Sequence, residues 1–82
     1  MRAVIWSKNN CVICDRAKAL LTSKKISYEE RNIEDESGPW TPEDFFEAVP
    51  NARTFPQILI DGKYVGGYEM MMTHIQLGQL TL

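Results

Sequence analysis

The chain has 82 residues, of which 44% are hydrophobic, and a formal net charge of −2. This length predicts a single domain over residues 1–82, with enough apolar side chains for one compact core. The small negative charge argues against a nucleic-acid partner, and the four apolar residues after Arg2 are too few for a signal or membrane-spanning segment, so we expect a cytoplasmic protein without a membrane partner.

Charge is distributed unevenly along the chain. Residues 1–28 carry six basic side chains against one acidic residue, Asp15, whereas residues 29–49 carry eight acidic side chains against one basic residue, Arg31. This pattern is typical of two solvated faces of opposite sign. A second interpretation is a basic rim beside the first helix that favours anionic partners.

Residues 3–33 predict a strand, a helix and a second strand. The continuous apolar run over 3–6 favours a buried central strand, and residues 12–25 have the periodicity of an amphipathic helix. A second strand is predicted over 26–33, parallel to the first, with a right-handed crossover between them. The buried face of the helix is predicted to contain Ile13, Ala17, Leu20 and Leu21.

A short second helix is predicted after an acidic loop. Thr41 is a favourable N-cap residue, Pro42 suits the first helical position, and Asp44 follows three residues after the cap. Its buried side is predicted to contain Phe45, Phe46 and Val49.

The remaining residues predict a hairpin and a final helix. An apolar strand over 57–60, an Asp-Gly turn and a strand over 63–65 form a typical β-hairpin. Two glycines end the second strand, and a Met-rich helix is predicted from Glu69 to about Leu77. The element order βαβ–α–ββ–α is that of an α/β fold around a mixed four-stranded sheet.

Cys11 and Cys14 lie at the junction between the first strand and the first helix. A thiol at a helix N-terminus faces unpaired N–H groups, which stabilise the thiolate. This placement predicts a redox dithiol in which Cys11 is the exposed nucleophile and Cys14, more buried, resolves the mixed disulfide. Two alternatives stay open: a zinc site, for which the chain offers only His74 and carboxylates as further ligands, and a pair of inert buried thiols.

Beyond this Cys-Val-Ile-Cys segment, three further segments resemble the glutaredoxin family. Thr54-Phe55-Pro56 is similar to the family's Thr-Val-Pro, residues 57–65 match its hairpin, and residues 66–69 match its Gly-Gly segment. The resemblance covers about residues 2–70. It implies a thioredoxin fold, glutathione as the reductant, no metal, and a cis peptide bond between Phe55 and Pro56.

The resemblance also implies a glutathione-binding groove. Lys8 and Arg53 would bind the glycine carboxylate, and the Phe55 backbone would pair with the cysteinyl unit. Residues 67–69 would receive the γ-glutamyl end. The implied glutathione-binding residues are Lys8, Ile13, Arg53, Thr54, Phe55, Pro56, Gly67, Tyr68 and Glu69.

Two departures from the family pattern affect this groove. Val12 and Ile13 stand where the family usually has Pro and Tyr, so an aromatic wall is missing. Met70 stands where the family often has Asp, so a carboxylate for the glutathione amino group is missing, although Glu69 is near in sequence. Both changes concern glutathione affinity rather than thiol chemistry.

We therefore predict a monomeric, glutathione-dependent dithiol glutaredoxin that reduces protein disulfides and glutathione mixed disulfides. By resemblance alone, its clients would include ribonucleotide reductase. One alternative is a glutaredoxin-like electron donor recharged by thioredoxin reductase. Another is a binding module in which two chains hold a 2Fe–2S cluster through Cys11 and glutathione.

Overall fold

The computed structural model describes residues 2–78, which form a four-stranded sheet and three helices. Strand order in the sheet is β2-β1-β3-β4, with β1 and β2 parallel and the other two pairs antiparallel. This confirms the predicted element order and the mixed sheet. The elements are β1 (Arg2–Ser7), α1 (Val12–Ser23), β2 (Ser27–Asn32), α2 (Pro42–Ala48), β3 (Gln57–Ile60), β4 (Lys63–Gly66) and α3 (Tyr68–Gln76).

Local sequence signals account for the boundaries of α2 and of the hairpin. Thr41 caps α2 in a capping box with Asp44, and Pro42 occupies the first turn, where its missing N–H costs no helical hydrogen bond. Between β3 and β4, Asp61 and Gly62 both have positive φ, at 50° and 81°. A two-residue hairpin turn of this kind requires such angles, and they are easiest for Gly and tolerated by Asp.

The sheet separates two hydrophobic cores. One lies between the sheet and helices α1 and α3, and its buried members are aliphatic, with Met71 contributed by α3. The other lies against α2 and is aromatic, built around Trp6 and Phe45. Because side chains alternate along β1, Ile5 belongs to the first core and its neighbour Trp6 to the second. No helix within residues 2–78 is long and apolar enough to cross a membrane.

Two predictions of burial were wrong. Ile13 is 48% exposed, because the face of α1 that meets the sheet carries Cys14, Ala17 and Leu21 instead. Phe46 is 53% exposed, because its neighbour Phe45 takes the buried position and successive helical residues are about 100° apart.

Several boundaries also differ from those predicted. Helix α1 ends at Ser23 rather than near Lys25, and Lys25 has a positive φ of 59°. Gly66 is the last residue of β4, and α3 begins at Tyr68, one residue earlier than predicted.

Candidate dithiol active site

Cys11 and Cys14 form a disulfide across the first turn of α1, with their Cα atoms 5.2 Å apart. Cys11 is the N-cap residue of this helix, and its Sγ accepts a hydrogen bond of 3.1 Å from the Cys14 backbone N–H. Cys14 is only 1% exposed, whereas Cys11 is half-buried and thus less exposed than predicted.

The same geometry stabilises a thiolate on Cys11 when the disulfide is reduced. A thiolate at the N-cap receives a backbone N–H and lies at the positive end of the helix dipole. We therefore expect the pKa of the reduced Cys11 thiol to lie below the value of about 8.5 that is usual for free cysteine. Cys14 is buried, so a large substrate would meet the more accessible Cys11 first.

A groove of about 610 Å³ lies beside this helix turn. Seven of the nine residues predicted to bind glutathione line it, and three lining residues were not predicted as site residues: Arg16, Met70 and Met72. Arg16 lies one helical turn after Ile13, and this spacing is the signal that places both on one side of α1. The predicted residues in the groove are Ile13, Thr54, Phe55, Pro56, Gly67, Tyr68 and Glu69.

The segment before β3 forms one wall of the groove. The Phe55–Pro56 peptide bond is cis, which confirms the expectation from the resemblance. The Phe55 ring stacks on Phe45 of the aromatic core at a centroid distance of 4.5 Å. The backbone N–H and C=O of Phe55 make no hydrogen bond to any other described residue, so both are available to a ligand.

Two predicted residues, Lys8 and Arg53, are exposed and do not line the groove itself. The Lys8 ammonium lies 5.9 Å from the centroid of the Phe55 ring, so it is near the same loop as the groove. Arg53 directly precedes Thr54 in the chain.

The opposite wall comes from the start of α3. Gly67 is its N-cap, with no side chain to bond the first N–H groups of the helix, and Glu69 is in its first turn. Gly66 has a φ of 126°, and a Cβ there would lie 3.0 Å from the Met70 Cβ, so this position requires glycine. Met70 is 49% exposed.

The described residues show no further cluster of metal-ligand side chains. His74, which the zinc alternative would need as a ligand, is half-buried on α3. Within residues 2–78 no three His, Cys, Asp or Glu side chains are grouped so that they would bind a metal ion.

A dithiol at the N-terminus of a helix after a buried strand, with a cis-proline loop lining the groove beside it, is the arrangement of a thiol-disulfide oxidoreductase of the thioredoxin fold. The sequence profile of the glutaredoxin family matches residues 3–65. The chain therefore belongs to the glutaredoxin family.

Individual relatives agree with this assignment. Glutaredoxin 3 of Escherichia coli K12 is 38% identical over 63 residues, which are 77% of this chain and 72% of that protein. Glutaredoxin 1 of Rickettsia bellii is 35% identical over 71 residues, covering 78% of this chain and 66% of that protein.

Solved structures of glutaredoxins superimpose on most of this chain. The buckwheat glutaredoxin–glutathione complex gives a TM-score of 0.79 at 29% identity, covering 95% of this chain and 71% of that one. Reduced Escherichia coli glutaredoxin gives a TM-score of 0.75 at 28% identity, covering 96% of this chain and 98% of that one. The thioredoxin fold predicted from the resemblance is thus confirmed.

Proposed function

We propose that this glutaredoxin uses glutathione to reduce protein disulfides and glutathione mixed disulfides. The observation that carries the proposal is the groove in which Ile13, between the two cysteines, and Phe55, with its unpaired backbone, both lie. A tripeptide thiol whose sulfur meets Cys11 has its own backbone close to these unpaired groups, which would bind it as a short strand pairing. The neighbouring buckwheat structure contains glutathione in the same fold.

Thiol-disulfide exchange accounts for each step on this site. The Cys11 thiolate attacks the glutathione sulfur of a mixed disulfide, the S–S bond breaks, and the client leaves as a thiolate that takes up a proton. A second glutathione thiolate then attacks the Cys11–glutathione disulfide, releasing oxidised glutathione and the Cys11 thiolate.

Reduction of a protein disulfide needs the second cysteine. After Cys11 bonds to one client sulfur and displaces the other, the Cys14 thiolate attacks Cys11 and releases the reduced client. The product is the Cys11–Cys14 disulfide present in the structure. Two glutathione molecules then restore both thiols.

The charges around the groove suit a ligand with an ionised group at each end. Lys8 and Arg53 supply positive charge near the Phe55 loop, and the uncapped N–H groups at Gly67 supply donors at the start of α3. Arg16 and Glu69 add one charge of each sign inside the groove. Because Met70 adds none, we expect weaker binding of the γ-glutamyl amino group than an acidic residue there would give.

A coupled assay tests this proposal. The protein is supplied with glutathione, glutathione reductase, NADPH and the mixed disulfide of glutathione with a cysteine-containing peptide. A parallel reaction replaces glutathione and its reductase with thioredoxin reductase. Turnover in the first reaction alone supports the proposal, and turnover only in the second supports the thioredoxin reductase alternative.

Cys11→Ser is the control for both reactions, because it removes the nucleophile. Visible absorbance of freshly purified protein would support the cluster-binding alternative instead. A cytoplasmic location, a monomeric state and ribonucleotide reductase as a client are also part of the proposal. Size-exclusion chromatography with and without glutathione tests the monomeric state.

A further inference from the structure

Gln57 is a buried amide directly behind the cis-proline loop. It is 5% exposed and is the first residue of β3, where it pairs with Trp6 of β1. Its Nε2 donates to the backbone carbonyl of Thr54 at 3.0 Å and to the Thr54 Oγ1 at 3.1 Å. Its Oε1 accepts a hydrogen bond of 2.7 Å from the Tyr64 hydroxyl.

Both ends of this amide are therefore bonded. An unbonded amide buried there would be unfavourable, because it would lose its hydrogen bonds to water, whereas an aliphatic residue would fill the same position without needing a partner. The Thr54 carbonyl fixes which end of the amide points to the loop, because it accepts from Nε2 and would repel Oε1. Tyr64, across the hairpin on β4, then donates to the remaining end.

The bond to the Thr54 carbonyl also sets the direction of the Phe55 N–H. These two groups belong to one peptide unit, which is planar and trans, so the N–H points away from the carbonyl. Gln57 holds the carbonyl from the side of β3. The N–H on the opposite edge of the same plane is left without a partner in the described chain, and Phe55 lines the groove.

We propose that Gln57 is a positioning residue, held by Tyr64, that orients the Thr54–Phe55 peptide so that the Phe55 N–H meets the backbone of a bound glutathione or client. This inference rests on the proposed function, since it assigns the part that Gln57 has in substrate binding. Gln57 acts through the peptide unit and touches no reacting atom.

The decisive variant is Gln57→Leu, which keeps most of the side-chain volume and removes both bonding ends. We expect its apparent KM for the glutathione–peptide mixed disulfide to rise about five-fold or more, because the loop no longer presents one fixed N–H. The rate at which iodoacetamide alkylates Cys11 should stay unchanged, since the helix N-terminus is untouched. The matched control is Gln76→Leu, the same change at an exposed position at the end of α3, which should leave KM and alkylation as in the wild type.

A second measurement tests whether Gln57 orders the Phe55 loop, independently of whether the protein uses glutathione. In the wild type the NMR order parameter of the Phe55 N–H should be near the value of about 0.85 of rigid backbone, and in Gln57→Leu it should fall toward about 0.6. This readout needs no substrate. If the wild type is inactive with glutathione, the proposed function is overturned. If the Phe55 order parameter still falls in Gln57→Leu, the positioning role of Gln57 is supported even so.

Gln57→Glu keeps the inference testable if Gln57→Leu does not fold. A carboxylate cannot donate to the Thr54 carbonyl, whereas a protonated carboxyl group can. The ratio of variant to wild-type KM should therefore be high at pH 7.5 and fall at pH 5.5, because burial favours the protonated form of Glu and the lower pH populates it further. Tyr64→Phe should give a smaller rise of about two-fold, because both Nε2 bonds remain.

The inference is overturned if KM and the Phe55 order parameter of Gln57→Leu, or of Gln57→Glu at pH 7.5, equal those of the wild type. A KM increase in Gln57→Glu that does not change with pH would also overturn it, because packing alone would then explain the effect.

Discussion

The two faces of the sheet pack against different kinds of side chain and support different parts of the site. The face covered by α1 and α3 is aliphatic, and Cys14 lies on the buried side of α1 together with Ala17 and Leu21. The face covered by α2 is aromatic, and Phe55 packs into it through its stack on Phe45. The reactive thiols thus depend on one core and the substrate loop on the other.

Each face also has its own polar edge. On the α1 side, Glu30 accepts hydrogen bonds from the buried Ser7 hydroxyl at 2.7 Å and from the Lys18 ammonium at 2.9 Å. On the α2 side, the Arg31 guanidinium lies 4.1 Å from the centre of Trp40 and is paired with Glu29. We therefore expect that the Phe55 loop can be perturbed without changing the dithiol, and the following variants test this.

The largest effect is expected at the dithiol itself. Cys11→Ser should abolish all thiol transfer, because it removes the nucleophile. Cys14→Ser should keep reduction of glutathione mixed disulfides and lose most reduction of protein disulfides, since glutathione can release Cys11 but resolution of a protein mixed disulfide needs the second thiol. Both activities can be measured in the coupled assay, and equal losses in the two variants would contradict the assigned roles.

A matched pair of core substitutions compares the two faces directly. Phe45→Leu and Leu21→Val should each destabilise the protein by about 1–2 kcal/mol, measured by urea denaturation. Only Phe45→Leu should also raise the KM for the glutathione mixed disulfide, because it removes the ring on which Phe55 stacks. A similar rise in KM for Leu21→Val would show that the two faces are not independent.

Lys8 tests the charge at the edge of the substrate loop. Lys8→Ala should raise the apparent KM for glutathione several-fold, as expected for the loss of an exposed charge-assisted contact of about 1 kcal/mol. Added salt should reduce the difference from the wild type, because exposed charges are screened. If the variant instead shifts the pH profile of the rate and leaves KM unchanged, Lys8 acts on the Cys11 thiolate; no change in either would exclude both roles.

Lys18 should have the smallest effect, on stability alone. The hydrogen bond to Glu30 raises the pKa of Lys18 above its usual 10.5, with further contributions from Asp15 and against the effect of burial. A raised folded-state pKa stabilises the protein fully below pH 10.5, and this contribution is lost as the pH rises through the folded-state pKa. Lys18→Met should therefore be less stable by under about 1 kcal/mol at pH 8.

Urea denaturation at pH 8 and at a pH well above the usual 10.5 of lysine provides the comparison for Lys18. The difference between wild type and Lys18→Met should shrink at the higher pH, roughly where a lysine with a raised pKa loses its proton. A difference that stays constant would mean that the aliphatic part of Lys18, rather than its charge, stabilises α1 on the sheet.

Signals between residues close in the chain were sufficient to predict much of this protein. The capping box of Thr41 with Asp44 and the Asp61-Gly62 turn depend on backbone groups a few residues away, so their conformations follow from the local sequence. The dithiol geometry is also local, because the Cys14 N–H that donates to the Cys11 Sγ is only three residues further along the first turn of α1. These features determined the order of elements and the nature of the reactive centre.

Packing between distant segments decided the rest. No local pattern shows that Phe45 rather than Phe46 meets the core, or that Ile13 turns toward the groove, since both depend on which side of the helix the sheet covers. The bonds from Gln57 to Thr54 and Tyr64 exist only because the cis-proline loop and the hairpin fold around one buried amide. The sequence by itself determined the reactive thiols, and only the tertiary structure decided the surface that presents a substrate to them, because binding geometry is set by contacts between segments far apart in the chain.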